Sequence, residues 1–142
     1  MSHIRKAYAE EEQWVNERYK EIGFVPSNVG RELVAVAEHE GSRAALGRLV
    51  PVNADCAELG GIYVLQEFRG LGIATELVDY LLREGTTYKK IFCLPFAHVE
   101  HLYLALGFRR YDGAENVPQE IQRKHRWCNN HYEHGTLLLV RP

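Results

Sequence analysis

The sequence lacks several features that would each place it in a special class of protein. It holds only three cysteines in 142 residues, an odd number at wide spacing, so a disulfide framework is not predicted. No stretch approaches the roughly 18 consecutive apolar residues of a membrane-spanning helix, and no repeat or Ser/Pro-rich linker divides the chain. Neither charge dominates, because 17 Lys and Arg stand against 19 Asp and Glu. This balance disfavours a dedicated binder of nucleic acid or of anionic membranes.

What is present is the composition of an ordinary globular domain. Hydrophobic residues make up 46% of the chain, and folding at this length buries about two-thirds of the unfolded surface. We therefore expect residues 1–142 to form a single domain. The first residues hold no apolar core behind a basic region, so no secretory signal is expected. A cytoplasmic location is the default expectation.

The hydrophobic periodicity predicts an α/β fold of about seven strands. Strands are predicted at 3–8, 32–40, 44–52, 57–65, 90–96, 108–112 and 136–140. Helices are predicted at 9–23, 72–84, 99–106 and within 118–132. The spacing of the second, third and fourth strands indicates an antiparallel meander, and the later strand–helix alternation indicates a mixed sheet. In the fourth strand, Gly60 and Gly61 indicate a bulge or a close approach by another chain or a ligand.

The most informative segment joins this fourth strand to the following helix. It is V-L-Q-E-F-R-G-L-G-I-A-T at 64–75, with glycines where the backbone turns just before the helix. A helix start carries about half a positive charge and unpaired N–H groups, so this loop suits a pyrophosphate. The segment lacks the spacings of a P-loop and of a dinucleotide motif. A tight turn without a ligand is the alternative, and Arg69 either contacts the anion or fixes the loop.

Two blocks resemble a known family. The run I-Y-V-L-Q-E-F-R-G-L-G-I-A at 62–74 resembles the acetyl-CoA-binding motif Gln/Arg-x-x-Gly-x-Gly/Ala of the GNAT superfamily of N-acetyltransferases, matched by Arg69, Gly72 and Ala74. A second block, H-L-Y-L-A-L-G-F-R-R at 101–110, resembles the later helix of that family. The resemblance implies the GNAT-like acyl-CoA N-acyltransferase fold, a mixed sheet with helices on both faces.

The resemblance also implies acetyl-CoA (coenzyme A) as co-substrate, with no metal. The pantetheine arm would lie along the main chain of Ile62, Tyr63 and Val64, and an amide near Val64 would stabilise the oxyanion. The residues expected at the pyrophosphate are Arg69, Gly70, Leu71, Gly72, Ile73, Ala74 and Thr75.

Two residues are candidates for proton transfer. Tyr103 matches the family position that protonates the departing thiolate, although helical periodicity alone favours packing for it. Glu58 is the candidate base, acting through water, and an ordinary surface carboxylate is the alternative. His98 and His101 rank behind Glu58 as bases.

The expected acceptor is the primary amine of a small molecule, which attacks the thioester directly. A protein or peptide acetyltransferase and a catalytically silent acyl-CoA-binding module are the alternatives. The stretch N-V-P-Q-E-I-Q-R-K-H-R-W-C at 116–128 is faintly similar to the amino-acid-acetylating branch of the superfamily. A substrate carboxylate would then bind Arg109, Arg110, Arg123 or Arg126. No nucleic acid or membrane partner is expected, and a homodimer is a candidate by analogy alone.

Three other features have simpler interpretations. Cys128, His131 and His134 have ligand-type spacing, but a structural zinc site needs four ligands, so no metal is expected. Cys93 is predicted to be a small buried hydrophobe. The basic run Arg123 to Arg126 is predicted to be a solvated helix face.

Overall fold

The computed structural model describes residues 2–113, 116–132 and 135–142. Within these residues the chain forms seven strands, β1 Ser2–Lys6, β2 Leu33–His39, β3 Ser42–Pro51, β4 Cys56–Val64, β5 Lys90–Cys93, β6 Arg109–Arg110 and β7 Leu139–Arg141. It also forms four α-helices, α1 Glu12–Glu21, α2 Ile73–Glu84, α3 Glu100–Leu104 and α4 Gln119–His131.

The strands form one mixed sheet in the order β1-β2-β3-β4-β5-β7-β6. β4 and β5 run parallel, whereas β1–β2, β2–β3, β5–β7 and β6–β7 are antiparallel. This architecture confirms the predicted fold class.

The element boundaries differ from the predictions where local chemistry interrupts a pattern. The first helix begins with a 3-10 turn at Ala9–Glu11 before α1, and β5 ends at Cys93 instead of residue 96. Pro95 has no amide to donate to a strand ladder, and its carbonyl instead accepts from the amide of Leu137. The last predicted strand is correspondingly reduced to an isolated bridge at Thr136 and the short β7.

Two compact units make up the chain, and the division falls inside β4. The first unit comprises Met1–Val50 and Gly61–Thr86. In its core, the α1 residues Val15 and Tyr19 pack with Val34 and Leu46. The buried residues of α2 are Ile73, Leu77, Val78, Leu81 and Leu82. Their i, i+4, i+8 spacing is the periodicity that predicted this helix.

The second unit comprises Pro51–Gly60 and Thr87–Pro142. Its core joins strand and helix residues, namely Cys56, Phe92, Val117, Ile121 and Val140. Ile121 is one of the residues by which α4 packs on the strands of this unit. No helix of the described residues is long and apolar enough to cross a membrane.

Candidate cofactor and catalytic sites

The turn between β4 and α2 depends on two glycines with left-handed backbone angles. Gly70 has φ +82° and Gly72 has φ +78°. An added Cβ at either position would meet nothing within 4 Å. The backbone angle, not lack of space, therefore explains glycine here, and the turn is open to solvent.

The first turn of α2 has no side-chain cap. Gly72 is its N-cap and provides no side-chain hydrogen bond. Within the part of the chain that the structure describes, the amides of residues 70–75 donate no backbone hydrogen bond other than those inside the helix itself. These amides and the positive helix end form a cradle that an anion can occupy. Gly70, Leu71, Gly72 and Thr75 are exposed, as such a role requires.

Arg69 ties this loop to the end of β4. Its Nε donates a hydrogen bond of 3.1 Å to the carbonyl of Val64. Of the two roles considered for Arg69, fixing the loop is the one seen here. The residue itself is exposed, so its remaining N–H groups are open to solvent.

The ladder between β4 and β5 stops before β4 does. It joins Cys56–Leu59 to Lys90–Cys93, whereas β4 continues to Val64. Ile62, Tyr63 and Val64 therefore run past the end of this ladder. A main chain without a strand neighbour on one edge can pair with an extended ligand, as expected for these three residues.

Gly61 is where β4 turns away from regular geometry. Its φ is +62°, and an added Cβ would lie 2.5 Å from the hydroxyl oxygen of Tyr19. That hydroxyl donates a 2.8 Å hydrogen bond to the Gly61 carbonyl. At Gly61 a side chain of α1 makes a close approach of the kind predicted for the glycine pair.

Tyr19 is buried, and its surroundings explain why its proton is retained. Burial raises the pKa of Tyr19 well above the ordinary tyrosine value, and the nearby Arg48 guanidinium lowers it in part. Arg48 lies 4.4 Å from the ring centroid and donates to the Ser27 hydroxyl and the Val25 carbonyl. In the sequence, the helical spacing of Tyr19 is the one signal that points to this arrangement.

In the second unit, the candidate base Glu58 is paired with Lys124. Glu58 is 8% exposed, and the Nζ of Lys124 donates to its two oxygens at 2.9 and 2.8 Å. Lys124 was expected on a solvated basic face, but it is half-buried, since α4 places it over the carboxylate. Glu58 is therefore a buried carboxylate with a cation beside it, not an ordinary surface group.

Tyr103 and Cys93 form a second polar contact. Tyr103 is 6% exposed, and its hydroxyl lies beside the sulfur of Cys93. Burial is the main cause that raises the pKa of both groups well above ordinary values. Tyr103 thus keeps its proton at neutral pH, and Cys93 is a neutral buried thiol, which agrees with the hydrophobe predicted for it.

Glu58 and Tyr103 approach opposite faces of the sheet. Glu58 is in register with Phe92, and residues paired across strands share a face. Phe92 lies in the core beneath Ile121 of α4. The next residue, Cys93, points to the other face, where Tyr103 contacts it. The α4 face therefore holds the candidate base, and the α3 face holds the candidate acid.

The remaining candidates are dispersed. His98 and His101 are exposed. His131 stacks on Trp127 with ring centroids 4.3 Å apart, while His134 lies outside the described residues. No group of three or more potential metal ligands occurs within 2–113, 116–132 and 135–142.

Four arginines were considered for a substrate carboxylate. Two of them, Arg110 and Arg126, line the same cavity in the second unit. Arg109 instead lies 3.8 Å from Asp112, and Arg123 donates to Gln119 at 3.0 Å.

Comparisons with known proteins identify the fold and the family. No curated protein sequence matches the chain. The chain is similar in structure to the Mycobacterium tuberculosis protein Rv2747 in complex with CoA, at 17% identity and a TM-score of 0.75 over 98% of each chain. It is also similar to the ribosomal-protein-S18-alanine N-acetyltransferase of Escherichia coli, at 16% identity and a TM-score of 0.70 over 100% of this chain and 94% of that one.

A third similar structure is the N-acetylglutamate synthase of Neisseria gonorrhoeae complexed with coenzyme A and L-arginine. Identity is 16% and the TM-score 0.73, over 99% of this chain and 32% of that longer one. Identities this low show a shared fold. The family assignment comes from a sequence match to the family model described as the acetyltransferase (GNAT) family, over residues 2–108. The chain therefore belongs to the GNAT family of acetyltransferases.

Proposed function

We propose that this protein transfers the acetyl group of acetyl-CoA to the primary amine of a small molecule, with amino acids among the candidate acceptors. The observation that carries the proposal is the glycine turn before α2, whose amides are free to bind an anion. Relatives of the same fold, including Rv2747 and the gonococcal N-acetylglutamate synthase, have been crystallised with coenzyme A. Their complexes support a CoA thioester as the donor.

The first unit supplies the proposed cofactor contacts. The diphosphate would bind the main-chain amides of residues 70–75, with the Thr75 hydroxyl and the free N–H groups of Arg69 beside them. The pantetheine would extend along Ile62, Tyr63 and Val64 as an added strand. Bound acetyl-CoA supplies the activated acyl group. The Val64 amide is the proposed donor to the oxyanion, where a hydrogen bond strengthens as charge develops.

Glu58 is the proposed proton acceptor for the attacking amine. An amine must be neutral to attack the thioester carbon, so its ammonium form first loses a proton to a base. Both oxygens of Glu58 already accept from Lys124. The acceptor amine, or the water between them, therefore shares this carboxylate with the Lys124 ammonium.

Tyr103 is the proposed donor of the proton that the departing thiolate takes. Its raised pKa keeps the hydroxyl protonated at neutral pH, which a general acid requires. The hydroxyl lies beside the sulfur of Cys93. Since a hydroxyl has a single proton to donate, that proton must be directed at the leaving group when the thiolate departs.

A peptide or protein amine is the second candidate acceptor. The Escherichia coli neighbour, which covers nearly the same length, is a ribosomal-protein-S18-alanine N-acetyltransferase. The Neisseria gonorrhoeae neighbour has also been solved with N-acetyl-glutamate. The two neighbours favour different acceptors, so only an assay of acceptor classes separates them.

The test combines binding and turnover. Acetyl-CoA should raise the unfolding temperature, because a ligand that binds only the folded state stabilises it. Thiol release is then followed over amino acids, polyamines and short peptides, with coenzyme A alone as a control for product binding. Turnover of small amines supports the proposal, and turnover of peptides alone supports the second candidate. Binding without any thiol release would indicate a silent acyl-CoA module, and absence of binding would overturn the cofactor assignment.

A further inference from the structure

The second unit contains a cavity of about 330 Å³ beside α4. Gln122, His125 and Arg126 of the helix line one side, and Arg110, Tyr111 and residues 136–138 line the other. Small-molecule sites in proteins start at about this volume. The acetyl-CoA contacts and the proton-transfer roles proposed above do not use this cavity.

The lining of the cavity is cationic. None of the described residues that line it is Asp or Glu. Arg110 is paired with Glu100, so its charge has a partner. Arg126 makes no ion pair with any described residue. Among the described residues, its guanidinium is therefore the cation of the cavity lining that has no ion-pair partner.

The cavity is separated from Glu58 by the body of α4. Gln122 and Arg126 each lie two positions from Lys124 in sequence. Because each residue turns the helix by about 100°, they lie about 200° around the helix from Lys124. Lys124 is the residue that contacts Glu58. A helix with its side chains is about 10–12 Å across. This diameter is much larger than the distance between the amine and the carboxylate of an α-amino acid. An α-amino acid whose amine sits at Glu58 therefore does not place its carboxylate at Arg126.

We propose that this cavity is a second ligand site, which binds the acidic group of a small organic anion. A guanidinium presents paired N–H donors that match a carboxylate or a phosphate. Leu137, Leu138 and the ring of Tyr111 add apolar contacts for a short carbon skeleton. The site is independent of acetyl transfer, so its ligand is a molecule other than the thioester donor and can bind without turnover.

The test measures binding to the intact protein by calorimetry, without acetyl-CoA. Glutarate probes a carboxylate, inorganic phosphate probes a phosphate, and neutral glutaramide controls for the carbon skeleton. We expect at least one anion to bind and glutaramide not to bind. Arg126→Gln should weaken the anion about tenfold or more, because hydrogen bonds to charged groups contribute roughly one to two factors of ten.

Arg123→Gln is the matched control, since Arg123 is exposed on the same helix and lies outside the cavity. It should leave the affinity unchanged. Lys124→Met should also leave it unchanged, because Lys124 faces Glu58. Thermal melts check that each variant is folded. Absence of anion binding, equal weakening by Arg123→Gln and Arg126→Gln, or an equal effect of Lys124→Met would each overturn the proposal. A failure here leaves the acetyl-transfer assay unaffected.

Discussion

The hydroxyl of Tyr19 donates a 2.8 Å hydrogen bond to the carbonyl of Gly61, and so ties α1 to the left-handed residue of β4. The residues that follow Gly61 are Ile62, Tyr63 and Val64, the proposed pantetheine strand. A buried side chain thus fixes the point from which this strand departs. Toward the proposed pantetheine strand, Tyr19 would act as a positioning residue, because it contacts the main chain of Gly61.

Tyr19→Phe should destabilise the protein and loosen cofactor binding. The change removes one hydroxyl and takes this hydrogen bond from the Gly61 carbonyl, which costs about 1–3 kcal/mol. Urea unfolding measures the free energy, and calorimetry measures acetyl-CoA affinity. Tyr80→Phe is the control, because Tyr80 of α2 makes no hydrogen bond with any described residue, so its effect should stay within about 0.5 kcal/mol. Equal unfolding midpoints for the two variants would contradict the positioning role.

Gly72→Glu should abolish acetyl-CoA binding. The added carboxylate brings bulk and like charge to the place proposed for the diphosphate, at the positive end of α2. Part of the effect is backbone strain, because φ is +78° there.

Gly41→Glu separates strain from charge repulsion. Gly41 lies between β2 and β3 with φ +82°, and an added Cβ there would also meet nothing within 4 Å. Calorimetry of both variants with acetyl-CoA is the measurement. Retained affinity in Gly72→Glu, or equal loss in Gly41→Glu, would remove the anion cradle from the proposal.

The glycine turn before α2 was predictable from sequence because its determinants are local. These determinants are the two glycines, the apolar spacing of α2, and the change in hydrophobic period from two residues in the strand to 3.6 in the helix. All of them fall within about twenty residues. The Glu58–Lys124 pair was not predictable, since its members are 66 positions apart. Their contact depends on how α4 packs over β4, which no short-range pattern encodes. In the sequence, Lys124 is one of several basic residues in the run from Arg123 to Arg126, which predicts an exposed side chain.

The Tyr19–Gly61 contact shows an intermediate case. The glycine pair in β4 predicted that something approaches the strand closely. Identifying Tyr19 as the approaching group requires the packing of α1 against β4, 42 positions away. Local backbone chemistry thus predicts where an exception lies, while tertiary packing decides what occupies it.

Glu58 and Lys124 should be energetically coupled. Lys124→Met leaves the carboxylate of Glu58, 8% exposed, without its cation, and should destabilise the protein by about 1–3 kcal/mol. Glu58→Gln keeps the shape and removes the charge. In the double variant the two losses should not add, and the coupling free energy should be about 1 kcal/mol or more. Urea unfolding of all four proteins gives this value, with Arg123→Gln as an exposed control on α4. Strict additivity would show that the contact contributes nothing.

Tyr103→Phe should lower kcat much more than it raises the Kd for acetyl-CoA. Loss of a general acid typically costs about 100-fold or more in rate, whereas the phenyl ring keeps the packing on Phe108. Thiol release gives kcat, and calorimetry gives the Kd. Tyr88→Phe, outside the proposed site, should change neither. If kcat and cofactor affinity fell equally in Tyr103→Phe, Tyr103 would be a packing residue only.

Stability should decline at alkaline pH, with Cys93 and Tyr103 contributing alongside Tyr19 and Cys128, whose pKa values burial also raises. Burial raises the pKa of Cys93 and Tyr103, so the folded protein keeps protons that the unfolded chain releases near pH 8.5 for Cys and 10 for Tyr. Their contribution is complete below these unfolded values, and is lost as pH rises toward the folded ones. Each group should steepen the fall by about 1.4 kcal/mol per pH unit. Urea unfolding from pH 7 to 11 measures the slope, and Cys93→Ala should flatten its first part, between about pH 8.5 and 10. Parallel profiles for Cys93→Ala and the unaltered protein would show that this thiol ionises as readily in the folded state as in the unfolded chain.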